Sequence, residues 1–306
     1  MTAPQQGMAR IRYWAGLLRD AVNLWLDRNA FSHAGSLAFY TLFSLAPVVI
    51  IAVTIIGVVL GPEAAQGQIV EQLEAVMGLE AAQTVERAVA SARPQEAGFL
   101  PSVLGIGALV VGATTVFAQM QYSLNMIWGV AAHPKRNSIL VFLLSRLFSL
   151  TIVLSIGFVL LVSLLLGVAL RSVLYFADTY IPVSPFLVVG SETLLSLGVV
   201  TLLFATIFKV LPDVVLGWKD VLVGALLTSV LFSLGRYGIA TYLSYTAPAS
   251  VYGAAGSVVL ILMWVYYSSL ILFFGAAFTK VHLTARGKPV VPRNSAALVE
   301  HHLLVD

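Results

Sequence analysis

Cysteine is absent from this chain of 306 residues, and charge is scarce: Asp, Glu, Lys and Arg make up 10% of it, against 59% hydrophobic residues. The first absence excludes disulfides, thiolate metal sites and cysteine nucleophiles. It does not locate a compartment, because proteins in either redox environment can lack cysteine. The second absence excludes an ordinary soluble domain, where charged residues are about a quarter of the total. The opening MTAPQQGMAR has no apolar core of the signal-peptide kind, which predicts that this segment is kept. His33, His133, His282, His301 and His302 are dispersed, with no HExxH spacing and no acidic cluster beside them. A GxxxxGK phosphate loop and a GxSxG elbow are missing too. No metal, cofactor or catalytic residue is expected, and the chain is not expected to be an enzyme. Nucleic-acid binding needs a basic, aromatic face on a soluble module, and the sequence offers no such module.

What remains is long apolar runs. Leu37 to Leu60 and Ser257 to Thr279 contain no Asp, Glu, Lys or Arg. A hydrocarbon core of roughly 30 Å takes about 20 helical residues to cross. The runs predict an all-α, polytopic membrane bundle of six spans at about 37–60, 100–127, 139–170, 188–208, 220–243 and 255–279. The lipid bilayer is its first partner. Ahead of the first span, Ile11, Trp14, Leu18, Val22 and Trp25 recur at spacings of three or four. They predict an amphipathic helix over residues 10–30, either lying at the headgroups or packed on the bundle. Residues 61–99 change composition, and two short amphipathic helices are expected there, ended by Pro94 and Gly98. The chain thus divides into a segment 1–36 with its interfacial helix, a membrane domain 37–279 and a short polar tail 280–306 with no sign of a folded domain.

Basic residues set the orientation. With both termini, the second–third loop and the fourth–fifth loop on one side, twelve Arg and Lys fall there and three (Arg87, Arg93 and Arg171) on the other. Both termini are therefore expected in the cytoplasm, and 61–99 forms an acidic outer loop.

Within the spans, ionisable groups cost about 2.5–3.5 kcal/mol each at mid-membrane and should face a partner or water. Arg146, Glu192 and Arg236 are the three cases. Their places in the spans put Glu192 and Arg236 about 5 Å apart in depth at 1.5 Å per residue, which predicts a pair in the outer half of the bundle. Such a pair either fixes helix register or stands on a solute path. Arg146 lies nearer the cytoplasm, within reach of Asp213 or Asp220 or of the headgroups. Pro47, in YTLFSLAPVVI, crowds the carbonyl of Phe43 and predicts a local opening beside Tyr40 and Ser44. Trp264, Tyr266, Tyr267, Ser268 and Ser269 bring hydroxyls to mid-span, and Gln119, Gln121 and Asn125 lie near the inner end of the second span. These groups either line a path or bond across helices. Small residues such as Ala108, Gly112, Gly275 and Ala276 read as close helix packing, within one bundle or between protomers of a homo-oligomer.

Four blocks carry a family resemblance: AGSLAFYTLFSLAP (34–47), LNMIWGV (124–130), LPDVVLGWKDVLVGALL (211–227) and YGAAGSVVLILMWVYYSSLILFFG (252–275). In this order and spacing, over about residues 30–285, the chain resembles the YihY/BrkB family of bacterial inner-membrane proteins. The resemblance implies six spans and an inner-membrane address. Two positions depart from it: Gly275-Ala276-Ala277 stands where the family often has Gly-Ala-Glu, and Val223 replaces its usual proline. Members have been labelled ribonucleases, serum-resistance factors and candidate exporters. The ribonuclease label does not suit a chain without metal ligands or a cytoplasmic catalytic domain.

The reading that follows is a secondary transporter or exporter, independent of ATP, for a small polar solute, osmolyte-like or lipid-linked. Tyr40, Ser44, Pro47, Glu192, Arg236, Tyr267 and Ser268 are its candidate path residues, with Arg146, Asn125 and Gln121 behind them. The alternative is a membrane scaffold or envelope-assembly factor acting through loop 61–99.

Overall fold

The computed structural model describes residues 3–60, 83, 99–132, 185–246 and 254–299. Six helices run through them: α1 (Ala3–Asp27), α2 (Ala30–Leu60), α3 (Phe99–Trp128), α4 (Pro185–Val210), α5 (Trp218–Thr246) and α6 (Ala254–Ala285). Two three-residue strands, β1 (Val130–Ala132) and β2 (Ala296–Leu298), complete the described elements. The predicted third span, the outer loop with its two short helices, and Arg146 lie outside the described residues.

A chain without water around it must satisfy every backbone N–H and C=O internally, so apolar runs of this length become helices. Helices α2 and α3, with 31 and 30 residues, cover the first two predicted spans. Among the described residues, Thr193–Val210, Trp218–Ile239 and Val258–Ala285 are long and apolar enough to cross a membrane. Helix α6 is the hub, touching α1, α2, α3 and α5, and α4 joins through α5.

Helix α1 resolves the choice the sequence left open by presenting two apolar stripes. Leu17 and Ala21 are buried, and Trp14 stacks on Phe278 and His282 of α6 with ring centroids 6.4 and 5.8 Å away. Farther along the same face, Trp25 Nε1 donates to the carbonyl of Leu270 at 3.2 Å. The neighbouring stripe, Ile11, Leu18, Val22 and Leu26, is exposed, Ile11 to 70%. The helix is docked on the bundle and leaves a second apolar edge exposed. Asn29, at φ 50°, ends it in the left-handed region, and its carbonyl accepts from the N–H groups of Ser32 and His33 to start α2.

Local chemistry explains the other helix ends. Gly129 (φ 73°) and Gly287 (φ 72°) close α3 and α6. The second is a Schellman turn, with Lys288 N–H reaching the carbonyl of Leu283 at 3.3 Å. Helix α5 opens with half a capping box, Asp220 accepting from the Gly217 N–H at 3.2 Å. Helix α6 runs six residues past the expected end of its span, to Ala285.

The tail differs most from the expectation of a plain polar extension. Strand β2 pairs antiparallel with β1, Ala131 facing Ala297, and Val214 bridges to Pro292. Arg293 N–H donates to Asp213 O at 2.9 Å, and its Nη2 donates to Lys209 O at 3.0 Å, which caps the carbonyl end of α4. The tail is a strap across the basic end of the bundle. Its alanines carry no β signal; pairing follows from the helix ends lying side by side.

Candidate functional site

The polar groups fall into two zones. The first lies along α5 and α6, roughly 20 Å from Lys280 measured along α6 at 1.5 Å per residue. Gly235 of α5 has no side chain because Tyr267 of α6 fills the space: a Cβ there would collide with the phenol ring and its oxygen. Arg236, the next residue, is half-buried with its guanidinium 5.5 Å from the centroid of the Tyr237 ring. It forms no ion pair among the described residues. Ser268 Oγ is buried without a hydrogen-bond partner among the described residues, whereas Ser269 is satisfied by Val265 O of its own helix at 2.6 Å. On α4 and α5, Thr201 and Ser229 share a hydrogen bond of 2.7 Å.

That last bond sets the register of α4 against α5. Counted outward from it, Glu192 lies nine residues along α4 and Arg236 seven along α5, a difference in height of about 3 Å. The nine-residue step is two and a half turns, so the Glu192 Cα stands on the side of α4 opposite Thr201. The Glu192 side chain lies outside the described residues. Of the remaining path candidates, Ser44 is buried, and Pro47 packs on Gly112 of α3, where a Cβ would come within 2.9 Å of the proline ring. Helix α2 continues through Pro47 to Leu60. Tyr40 is exposed beside Phe39 and Phe43. The structure therefore brings Tyr267 up against Gly235, next to Arg236, and leaves Tyr40 exposed.

The second zone is the basic end. Asn125 closes a two-point clamp on Asp213, its Nδ2 donating to the carboxylate and its Oδ1 accepting from the backbone N–H, both at 2.8 Å. These two partners also fix the orientation of the amide. Gln121 adds a longer contact of 3.4 Å to the same carboxylate oxygen. Asp220 pairs with Lys288 at 2.6 Å. Asn125 and Gln121 belong to this clamp, which holds the α4–α5 connection onto α3. Asn125→Leu should cost about 2 kcal/mol, because one of its two bonds is to a charged acceptor. Gln121→Leu should cost well under half of that, and chemical unfolding of the two variants in detergent measures both.

Lys280 is one of the basic residues that set the orientation, and it has a structural task as well. It reaches across from α6 to donate to the carbonyls of Ile127 and Trp128, at 3.0 and 2.9 Å, and so ends α3. Lys209 stands 4.2 Å from the centroid of the Trp218 ring. His33 packs edge-on to Tyr122 and Phe273, and its burial lowers the pKa of the imidazole from its usual value. Ala277, at the position where the resemblance expects an acid, is fully buried in the apolar core. Among the described residues no group of His, Cys, Asp and Glu could hold a metal.

Comparison with known proteins follows the same lines. The family described as Virulence factor BrkB matches residues 21–297. A UPF0761 membrane protein of Pseudoalteromonas translucida is 27% identical over 90% of this chain and 88% of its own length. A second, from Saccharophagus degradans, is 26% identical over 90% of this chain and 60% of its own. A third, from Photobacterium profundum, is 29% identical over 80% and 74%. No solved structure matches the chain. With a family match across nearly its whole length, bacterial relatives that are membrane proteins, and helices rather than a barrel to cross the bilayer, the chain belongs to the BrkB family of the bacterial inner membrane.

Proposed function

We propose that this protein is a six-span secondary transporter with both termini in the cytoplasm. In this reading it exports a small polar or lipid-linked solute without ATP and catalyses no reaction. The observation that carries the reading is the buried Ser268 hydroxyl, which has no hydrogen-bond partner among the described residues, one residue from the phenol that fills the Gly235 notch beside Arg236. Polar groups are expensive in hydrocarbon and mark solute or ion pathways when they face a bundle interior. A bundle serving only as a lipid-embedded support would be better packed with apolar side chains at those positions. The position of α6 at the centre of the described helices supports the same assignment. The strap then lies at the cytoplasmic end, which agrees with the positive charge gathered there.

The test compares small-molecule pools inside and outside cells with and without the protein after an osmotic downshift. Arg236→Gln, Ser268→Val and Glu192→Ala are run at matched expression. A solute retained tenfold or more in cells lacking the protein, and retained likewise with Arg236→Gln, is the expected result. Ser268→Val should give a partial defect. Pools identical in all strains would overturn osmolyte export. If Glu192 and Arg236 act as a pair, the exchanged variant Glu192→Arg/Arg236→Glu recovers part of the flux that either single change loses.

A further inference from the structure

The turn between α1 and α2, the end of α3 and the cytoplasmic part of α6 meet at Gly129. Arg28 Nη2 and Lys280 Nζ both stand 3.4 Å from the point where a Cβ on Gly129 would sit. The two cations are therefore at most about 7 Å apart, inside the Debye length of about 8 Å at physiological ionic strength. Lys280 spends two of its three protons on the α3 carbonyls. Arg28 makes no side-chain hydrogen bond or ion pair among the described residues, which leaves a five-donor fork unused next to a second positive charge. Two like charges this close repel; the α3 carbonyls offset part of that for Lys280, and an anion shared with Arg28 would offset the rest. General attraction to an anionic leaflet does not call for such convergence, since exposed cations such as Lys219 satisfy it separately.

We infer that Arg28, Lys280 and the bare Cα of Gly129 form a phosphate-binding site at the cytoplasmic interface, which takes the phosphodiester of an anionic lipid headgroup or a free phosphate. Arg28 supplies a planar, bidentate fork and Lys280 a point charge, the two means by which proteins hold phosphate oxygens. Charge-assisted contacts of about 2.7–2.9 Å from each side let one tetrahedral oxyanion bridge the gap. Gly129 itself is buried, so an anion reaches the pair from the side of the partly exposed Arg28 and Lys280, and the left-handed glycine adds no side chain beside them. The exposed apolar stripe of α1, which ends at Leu26 two residues before Arg28, is of the kind that favours the headgroup level, where phosphodiesters are found. The inference is independent of whether the bundle transports anything.

The full chain, purified in detergent, is unfolded thermally while phosphatidylglycerol or inorganic phosphate is titrated in, with phosphatidylcholine as the zwitterionic control. A saturable rise in Tm is expected, and its midpoint should move at least tenfold to higher concentration in Arg28→Gln. Arg28→Lys should move it less, and Lys219→Gln should leave it unchanged. Lys280 is kept intact because it also holds α3. A response to phosphatidylglycerol alone assigns the site to lipid, one to inorganic phosphate alone assigns it to a soluble phosphate, and one to both shows a site open to either. A midpoint that shifts equally in Arg28→Gln and Lys219→Gln means diffuse attraction and overturns the inference. So does the lack of a saturable response to either probe.

Discussion

Gly275→Ala should destabilise the bundle by about 1–3 kcal/mol, the usual cost of forcing a methyl group into a close-packed interior. The cause is a reciprocal contact between α5 and α6. Gly224 and Thr228 on α5 face Gly275 and Thr279 on α6, each threonine sitting over the other helix's glycine. Thr228 Oγ1 donates to the carbonyl of Gly224 at 2.6 Å, and Thr279 Oγ1 donates to that of Gly275 at 2.7 Å. With both hydroxyls satisfied within their own helices, neither threonine needs a partner across the crossing. Each backbone can then approach the other closely, as small residues four apart allow in membrane helices. A Cβ on Gly275 would collide with Thr228 Oγ1 and stand 2.9 Å from Phe208 Cζ. The aromatic ring belongs to α4, so the damage reaches a third helix. Thr228→Ala removes the hydroxyl in the way, and the double variant should recover part of the loss. Additive penalties in that cycle would mean that the two positions do not press on each other. Chemical unfolding in detergent gives all three numbers.

That crossing was half legible in the sequence. Gly224, Thr228, Gly275 and Thr279 stand at the four-residue spacing of small residues that marks close helix approach, and Gly275 was read so. Which helix Gly275 faces was not legible, since nothing in the order of residues aligns position 224 with 275. Gly112 and Pro47 repeat the lesson: each was notable alone, and only the fold seats the proline against the glycine. The helices themselves were plain, because a charge-free run of more than 20 residues has one low-energy backbone in lipid. The depth argument for Glu192 and Arg236 agrees with the register set by Thr201 and Ser229, since height along a helix depends only on counting residues. Direction around the helix needs the neighbours, and that part of the argument was not available. The basic end was the least legible. Trp25 and Leu270 are 245 residues apart, Lys280 and Ile127 are 153 apart, and Asn125 and Asp213 are 88 apart. A rule that counts Lys and Arg for topology gives them all one meaning, whereas the fold uses Lys280 to end a helix and Arg293 to end another.

Lys280→Met should be the most damaging single change at that end, with a loss of about 3 kcal/mol or more. Methionine preserves most of the buried stem and removes only the ammonium, so the effect isolates the two bonds to Ile127 and Trp128. Hydrogen bonds to a charged group contribute about 1.5–3 kcal/mol each, and a buried carbonyl left without a donor pays its full desolvation cost. Ile127, Trp128, Gly129 and Val130 are all buried, so the two carbonyls themselves lie away from bulk water. The end of α3 would then loosen, and with it β1, which starts just past Gly129 and anchors the strap through Ala131 and Ala297. Lys280→Met should therefore raise hydrogen exchange in both 127–132 and 288–299, two segments far apart in sequence. Lys280→Arg, which keeps a donor of the same charge, should restore protection to both, though less completely because the fork is bulkier. Exchange confined to 127–132 would show that the strap is held by Arg293 and the Val214–Pro292 bridge alone. Unchanged exchange in both segments, with stability within about 0.5 kcal/mol of wild type, would mean that the α3 carbonyls find other donors when the lysine is gone. In that case Lys280 would be free to turn wholly toward an anion, and its position beside Arg28 would have to be explained by ligand binding alone.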